Sequence, residues 1–243
     1  MLSSVPNPTD LAAGVVKLCG MTRLEDVRAA AMAGADWIGV IMVAGSSRCV
    51  SAQQAASLMS AARENNLIGV LVLADPSPDL LGALVQQVRP AMLQLHGQES
   101  PALLAQIRQT TCLNIPLYLI KALTVQADLT AQDLQAYGDA ADYLLLDRSK
   151  QPQPPTAYDP ITWLQQNPLP TNIRYLLAGG LSADNVANRI AAAHKLHPAF
   201  GVDVASGIEA DPVRQPGIKD LAMMQAFVQN ARMAFAEPLK KPD

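Results

Sequence analysis

An α/β fold closed into a single (β/α)8 TIM barrel is the architecture this sequence predicts, and three observations carry the prediction. Short apolar runs alternate with amphipathic helical stretches without interruption, eight of each. Most runs are apolar at successive positions, as in a parallel sheet buried on both faces. The length, 243 residues, is close to the roughly 250 that such a barrel takes. The alternative is a doubly wound open sheet, but the Gly-x-Gly-x-x-Gly turn that would favour it after the first strand is replaced by Cys19-Gly20-Met21-Thr22. No Gly/Ser linker divides the chain, so residues 1–243 read as one domain with its core at about 15–235.

The first strand is Val15-Val16-Lys17-Leu18, and the helix after it starts at Arg23, with Thr22 as its N-cap and Gly34 as its stop. Residues 37–43 are a nearly continuous apolar run, hence a strand, and Ser51-Ala52-Gln53-Gln54 opens the next helix. Residues 68–73 form the third strand. In 78–88, apolar residues recur at Leu80, Leu81, Leu84, Val85 and Val88, the three-and-four spacing of a helical face, and 91–95 is the fourth strand. Proline in its first turn marks the helix at 101–108; 117–122 is a strand and 131–137 a helix. The sixth strand, Tyr143-Leu144-Leu145-Leu146, is followed by helix 160–166, strand 174–178, helix 183–194, strand 200–204 and helix 219–235. Gln151-Pro152-Gln153-Pro154-Pro155 reads as part of a long loop after the sixth strand.

Composition narrows the function. Half the residues are apolar, 16% are charged and 4% aromatic, so Ala, Leu and Val fill a core that a disordered chain would lack. A net charge of −3 and the absence of any Lys/Arg block argue against a nucleic-acid footprint, and a small-molecule partner is expected instead. Cys19, Cys49 and Cys112 are odd in number, widely spaced and without a histidine at a metal spacing. Neither a disulfide framework nor a metal site is expected, and a reducing, cytoplasmic setting fits. No apolar stretch is long enough to span a bilayer, and residues 1–10 lack the basic and apolar regions of an export signal.

In a barrel of this kind the active site lies at the C-terminal rim of the strands, so polar residues just after each apolar run are the candidates. They are Cys19, Arg48, Asp75, His96, Lys121 and Asp147, followed by two small-residue turns, Leu177-Ala178-Gly179-Gly180-Leu181 and Val202-Asp203-Val204-Ala205-Ser206-Gly207-Ile208-Glu209. Glycine leaves backbone N–H groups bare, and a short helix after such a turn adds partial positive charge, so Gly179, Gly180, Ser206 and Gly207 read as a phosphate cradle. A lone cysteine is commonly a small buried hydrophobe, but a rim position suits Cys19 for chemistry. Asp147 ends an apolar strand, where an ionised carboxylate is costly unless solvated, capping or reactive, and no helix starts promptly after it. Arg48 is either a solvated loop residue or a bidentate partner for a substrate carboxylate. His96 is a satisfied rim histidine or a site residue, and Lys121 is a snorkelling lysine or an ion-pair partner of Asp147. His194 and His197 sit far from the rim.

Taken in order, Lys17-Leu18-Cys19-Gly20-Met21-Thr22 with Glu25-Asp26, Gly34-Ala35-Asp36, Ser46-Ser47-Arg48, Gln94-Leu95-His96-Gly97, Leu145-Leu146-Asp147, Ala178-Gly179-Gly180-Leu181 with Asn185-Val186, and Asp203-Val204-Ala205-Ser206-Gly207-Ile208-Glu209 with Gly217, Lys219 and Asp220 resemble the phosphoribosylanthranilate isomerase family of tryptophan biosynthesis. The resemblance implies an Amadori rearrangement of N-(5-phosphoribosyl)anthranilate, an aminoaldose, to the aminoketose 1-(2-carboxyphenylamino)-1-deoxyribulose 5-phosphate, without metal or organic cofactor. It implies Asp147 as the general acid that protonates the furanose ring oxygen, and Cys19 as the general base that takes the proton from the sugar's second carbon. Arg48 falls on the position that meets the anthranilate carboxylate, Gly179, Gly180, Ser206 and Gly207 on the phosphate cradle, and His96 on a motif histidine with a rim-positioning role. A protonated aspartate and a thiolate both run against solution values of about 3.9 and 8.5, so the rim must shift them or hold a minor state.

The chain also departs from the family pattern. Ser47 precedes Arg48 where proline is usual, the second strand lacks phenylalanines near Val40 and Met42, and Asp211-Pro212-Val213-Arg214-Gln215-Pro216 lengthens the turn before Gly217. The loop of residues 148–160 carries prolines in place of the glycines of a mobile lid ending in Phe-Asp-Trp. Two further readings follow: a noncatalytic phosphosugar-binding barrel, motivated by the altered lid, and an isomerase of another phosphorylated aminoaldose, motivated by the missing phenylalanines. The sequence leaves monomer and homodimer equally open.

Overall fold

The computed structural model describes residues 13–109, 117–126, 128–148, 159–170 and 172–237. Parallel strands β1 (Val15–Cys19), β2 (Trp37–Ile41), β3 (Ile68–Leu73), β4 (Met92–Leu95), β5 (Tyr118–Val125), β6 (Tyr143–Arg148), β7 (Tyr175–Leu177) and β8 (Gly201–Val204) pair in sequence order. Helices α1 (Leu24–Ala33), α2 (Ala52–Glu64), α3 (Pro78–Val88), α4 (Pro101–Gln109), α5 (Ala131–Ala140), α6 (Pro160–Gln166), α7 (Val186–His194) and α8 (Leu221–Ala236) alternate with them. Pairing of β8 with β1, in the register Lys17↔Asp203, closes the (β/α)8 barrel and rules out an open sheet.

Local chemistry starts most helices where the sequence places them. Ser51 and Ser77 accept hydrogen bonds from Gln54 N and Leu80 N at the heads of α2 and α3, and Asp220 accepts from Met223 N at the head of α8. One start differs. Arg23, and not Thr22, is the N-cap of α1, without a side-chain cap bond. The Thr22 hydroxyl instead donates to Gly217 O at 2.7 Å, tying the β1 turn to the segment beyond β8. Strand β5 runs on to Val125, beyond the expected 122, because Leu123 and Val125 stay buried and Thr124 and Val125 keep their register with Asp147 and Arg148.

Strand alternation divides the core in two. Val16, Leu18, Ile38, Val40, Leu71, Leu93 and their neighbours face the helices, while Val15, Trp37, Val70, Met92, Ala122, Leu145 and Leu176 fill the barrel. Bulky rings stop its N-terminal end: Trp37 meets Tyr143 edge-on at 5.2 Å between centroids, and Tyr143 lies 5.0 Å from Phe200. With that end plugged, the polar interior residues of the same strands are stacked toward the opposite mouth. Trp37→Ala should therefore lower the unfolding free energy by about 3–5 kcal/mol, measured by urea denaturation. Trp37→Phe should cost less, since the indole N–H it removes has no acceptor among the described residues.

Candidate active site

Alternation also decides which side chains reach the mouth. Cys19 shares the interior side of β1 with Val15, and Asp147 shares that of β6 with Leu145. Strands β7 and β8 stand between them on the short way round the barrel. His96, just after β4, brings Nε2 to 3.6 Å from Asp147 Oδ2, and its Nδ1 lies 3.3 Å from Gln94 Nε2. His96 and Asp147 line a cavity of about 740 Å³ with Thr124, Leu129 and Arg148, a size that suits a small ligand. Cys19 and Arg48 are not among its lining residues; they stand on the β1, β2 and β8 side of the mouth.

Lys121 corrects one expectation: Asp147 is not its partner. Ile120 and Ala122 take the interior side of β5, so Lys121 points outward. Its Nζ donates to Glu99 Oε2 and Gly97 O at 2.7 Å each, and to Leu95 O at 3.4 Å. Glu99 in turn accepts from Asp75 N and Gly97 N, fastening the loops after β3 and β4 beneath His96. Burial alone would push the Glu99 carboxyl up, but Lys121 and the backbone donors outweigh it and hold it below the usual carboxylate range. Asp75, which also follows β3, accepts from Gln98 N at 2.7 Å and serves the same loop contact.

Arg48 is neither solvated nor wholly free. Its guanidinium forks onto Glu209, with Nε 2.7 Å from Oε1 and Nη2 2.6 Å from Oε2. The fully buried Glu209 also accepts from Lys219 Nζ at 2.8 Å and Gly217 N at 2.9 Å. Gly20 makes the approach possible, for a Cβ there would stand 2.7 Å from Arg48 Cδ. The fork occupies Nε and one Nη2 hydrogen, which leaves the Nη1–Nη2 edge of the guanidinium with N–H groups for a second carboxylate. Burial raises the Glu209 carboxyl, yet the hydrogen bonds from Arg48, Lys219 and Gly217 together hold it below the ordinary range. For Lys219 burial wins over Glu209, and its ammonium titrates below the usual lysine value. Glu209 and Lys219 stand in the sequence only as parts of motifs with no assigned role, because the polar stretch around them is ordinary and their pairing with Arg48 arises only from the fold.

The two small-residue turns lie against each other, Gly207 beside Leu181 O. Gly179 and Gly180 adopt φ of 86° and 72°, a region that disfavours other residues, and a Cβ on Gly179 would collide with the backbone of Arg148. Gly207, in the short 3-10 turn Ser206–Ile208, lies so close to Leu181 O that no Cβ fits. Asn185 staples the first turn, donating to Gly180 O at 2.9 Å and accepting from Ser182 N at 3.0 Å. The amides of Gly179, Gly180, Ser206 and Gly207 find no acceptor among the described residues. Bare N–H groups from adjacent loops are donors of the kind that hold anions.

Cys19 is buried beside Lys17, Asp203 and Lys219. Burial pushes its thiol up, the ammonium groups of Lys17 and Lys219 pull the other way, and the net direction is upward. Val40 belongs to the helix-facing layer, and Met42 packs against it. Residues 149–158 of the proline-rich loop, and Cys112, lie outside the described residues. Among the described residues no group of three or more His, Cys, Asp or Glu could hold a metal ion, and no helix is long and apolar enough to cross a membrane.

The family described as N-(5'phosphoribosyl)anthranilate (PRA) isomerase matches residues 16–230. A relative from Afipia carboxidovorans, N-(5'-phosphoribosyl)anthranilate isomerase, is 35% identical over 228 residues, covering 92% of each chain. The crystal structure of TrpF from Jonesia denitrificans superposes with a TM-score of 0.74 at 31% identity, over 91% of this chain and 98% of that one. A phosphoribosyl anthranilate isomerase in complex with reduced 1-(o-carboxyphenylamino)-1-deoxyribulose 5-phosphate gives 0.67 at 27% identity, over 90% and 98%.

Glu209 makes the electrostatics of this site measurable. Because its folded-state value is depressed, its stabilisation is complete above the unfolded value of about 4.3 and is lost as pH falls through the lower folded value. Glu209→Gln should cost about 3–5 kcal/mol at neutral pH, by leaving buried cations unpaired. Thermal midpoints recorded from pH 3 to 7 should fall less steeply below pH 4 in Glu209→Gln than in the wild type.

Proposed function

This chain belongs to the N-(5'-phosphoribosyl)anthranilate isomerase family, and we propose that Cys19 and Asp147 carry the proton transfers of its reaction. The activity is the isomerisation of the aminoaldose N-(5'-phosphoribosyl)anthranilate to its aminoketose. The single observation that best supports the residue assignment is the shared mouth: a thiol on β1 and a carboxyl on β6, with a two-loop anion cradle after β7 and β8 between them.

The phosphate would rest on the Gly179, Gly180, Ser206 and Gly207 amides, and the anthranilate carboxylate on the open edge of Arg48. Asp147, in its protonated form, gives its proton to the ring oxygen. The bond from that oxygen to the anomeric carbon breaks, and the nitrogen lone pair forms the iminium. The Cys19 thiolate then takes the proton on the second carbon. The released electron pair makes the carbon–carbon double bond, and the iminium π pair returns to nitrogen. The resulting enolamine becomes the ketone by losing its hydroxyl proton and gaining one at the first carbon. His96, beside the carboxyl, positions it. Side chains suffice for both transfers, so no cofactor is required, and we assign the chain to the cytoplasm as a monomer or homodimer acting on a small phosphoribosyl substrate.

The noncatalytic phosphosugar barrel predicts binding without turnover, and the test separates the two. Fluorescence of phosphoribosylanthranilate generated in situ should fall when the protein is added. Cys19→Ser and Asp147→Asn should each lower kcat about 10²–10⁴-fold. Arg48→Met should raise KM more than it lowers kcat, since the carboxylate contact is made in ground and transition states alike. Unchanged fluorescence at high wild-type concentration would reject catalysis on this substrate.

A further inference from the structure

Lys17 on β1 and Lys121 on β5 are buried on opposite sides of this barrel, and their surroundings differ in a way that separates structure from chemistry. Lys121 Nζ is satisfied by three acceptors, Glu99 Oε2, Gly97 O and Leu95 O. Lys17 is at least as buried and points into the barrel interior, yet among the described residues its Nζ has one hydrogen-bond acceptor, Asp203 Oδ1 at 2.6 Å. An ammonium has three N–H groups, and leaving one buried without an anion or acceptor is costly. The group placed to use the remainder is Cys19, two residues on along β1 and on the same face. Gly39, its register partner on β2, holds the gap open: a Cβ there would stand 2.5 Å from Cys19 Sγ and 3.1 Å from Lys17 Nζ. Sulfur and ammonium share a space that exists because residue 39 has no side chain.

The charges around the thiol point the same way. Lys17 on β1, Arg48 after β2 and Lys219 beyond β8 supply positive charge, while Asp203 on β8 and Glu209 after it supply negative charge. Three cations thus face two carboxylates, and one further negative charge is accommodated. Burial works against the Lys17 ammonium, but Asp203 and Cys19 outweigh it and raise its titration above the ordinary lysine value, so it stays charged.

We propose that Lys17, aligned by Asp203, is a positioning residue that stabilises the Cys19 thiolate and so sets the fraction of enzyme able to take the proton from the sugar's second carbon. This rests on the reading of Cys19 as the base. Lys17 makes no contact with substrate in this arrangement; it acts through the sulfur, and Asp203 limits its effect by sharing the same ammonium. The arrangement therefore predicts shifts of opposite sign. Removing the lysine charge disfavours the thiolate. Removing the aspartate charge leaves the ammonium to the thiolate alone and favours it.

The test is the pH midpoint of thiolate absorbance near 240 nm, taken as the difference from Cys19→Ser, in wild type, Lys17→Met and Asp203→Asn, each checked for folding by circular dichroism. Lys17→Met should raise the midpoint by at least about one unit, leaving about ten-fold less thiolate at pH values below both midpoints. Asp203→Asn should lower the midpoint, and the acidic limb of kcat/KM should move with each. Midpoints that do not move, or that move in the same direction in both variants, would overturn the proposal. Asp203→Asn alone decides if Lys17→Met does not fold, since an unmoved or raised midpoint there is sufficient. Absorbance reports ionisation without turnover, so an inactive wild type with the expected shifts would instead count against the catalytic role of Cys19.

Discussion

Closure of β8 onto β1 is the constraint on which the rest of this molecule depends. It fixes a parallel register in which alternate residues of every strand face a common interior, and it makes the first and last β/α units neighbours. Lys17 and Asp203, 186 positions apart in the chain, meet at 2.6 Å for that reason alone. Thr22 and Gly217 are joined by the same closure, as are Arg48 and Glu209. A rim built from both ends of the sequence is rigid because neither end can move without breaking these ties.

Within that frame the acidic side chains do different work. Glu99 and Glu209 are fully buried and satisfied, and each fastens two loops while compensating a buried lysine. Asp147 is partly open to solvent, with a histidine beside it and a cavity before it. The two glutamates are saturated by their partners, whereas Asp147 accepts from Arg148 N at 2.8 Å through Oδ1 and turns Oδ2 toward His96. The cations follow the same division, for Lys121 is saturated and Arg48 keeps one guanidinium edge in reserve.

Much of this was legible in the sequence because barrel periodicity is local. Apolar runs located the strands, the residue after each run located Cys19, His96 and Asp147, and glycines marked turns whose φ values only glycine adopts easily. What was missed is long-range. No local pattern shows that Arg48 forks onto a carboxylate 161 positions away, or that the Thr22 hydroxyl is taken by Gly217. The choice between Asp147 and Glu99 for Lys121 depends on which face of β5 holds residue 121, and a strand with apolar residues on both faces conceals which is which. A lysine within the first strand was nonetheless a readable anomaly, a charge where the interior should be dry.

The central claim is spatial: one substrate spans the cradle, the acid–base pair and the open edge of Arg48. A crystal structure of this chain with the reduced aminoketose phosphate tests it most directly. The account predicts phosphate on the Gly179, Gly180, Ser206 and Gly207 amides, the sugar carbons between Cys19 Sγ and the Asp147 carboxyl, and the carboxylate on Arg48 Nη1 and Nη2 with the Glu209 fork intact. Phosphate bound elsewhere, or a sugar that leaves either Cys19 or Asp147 out of reach of its first two carbons and ring oxygen, would contradict it.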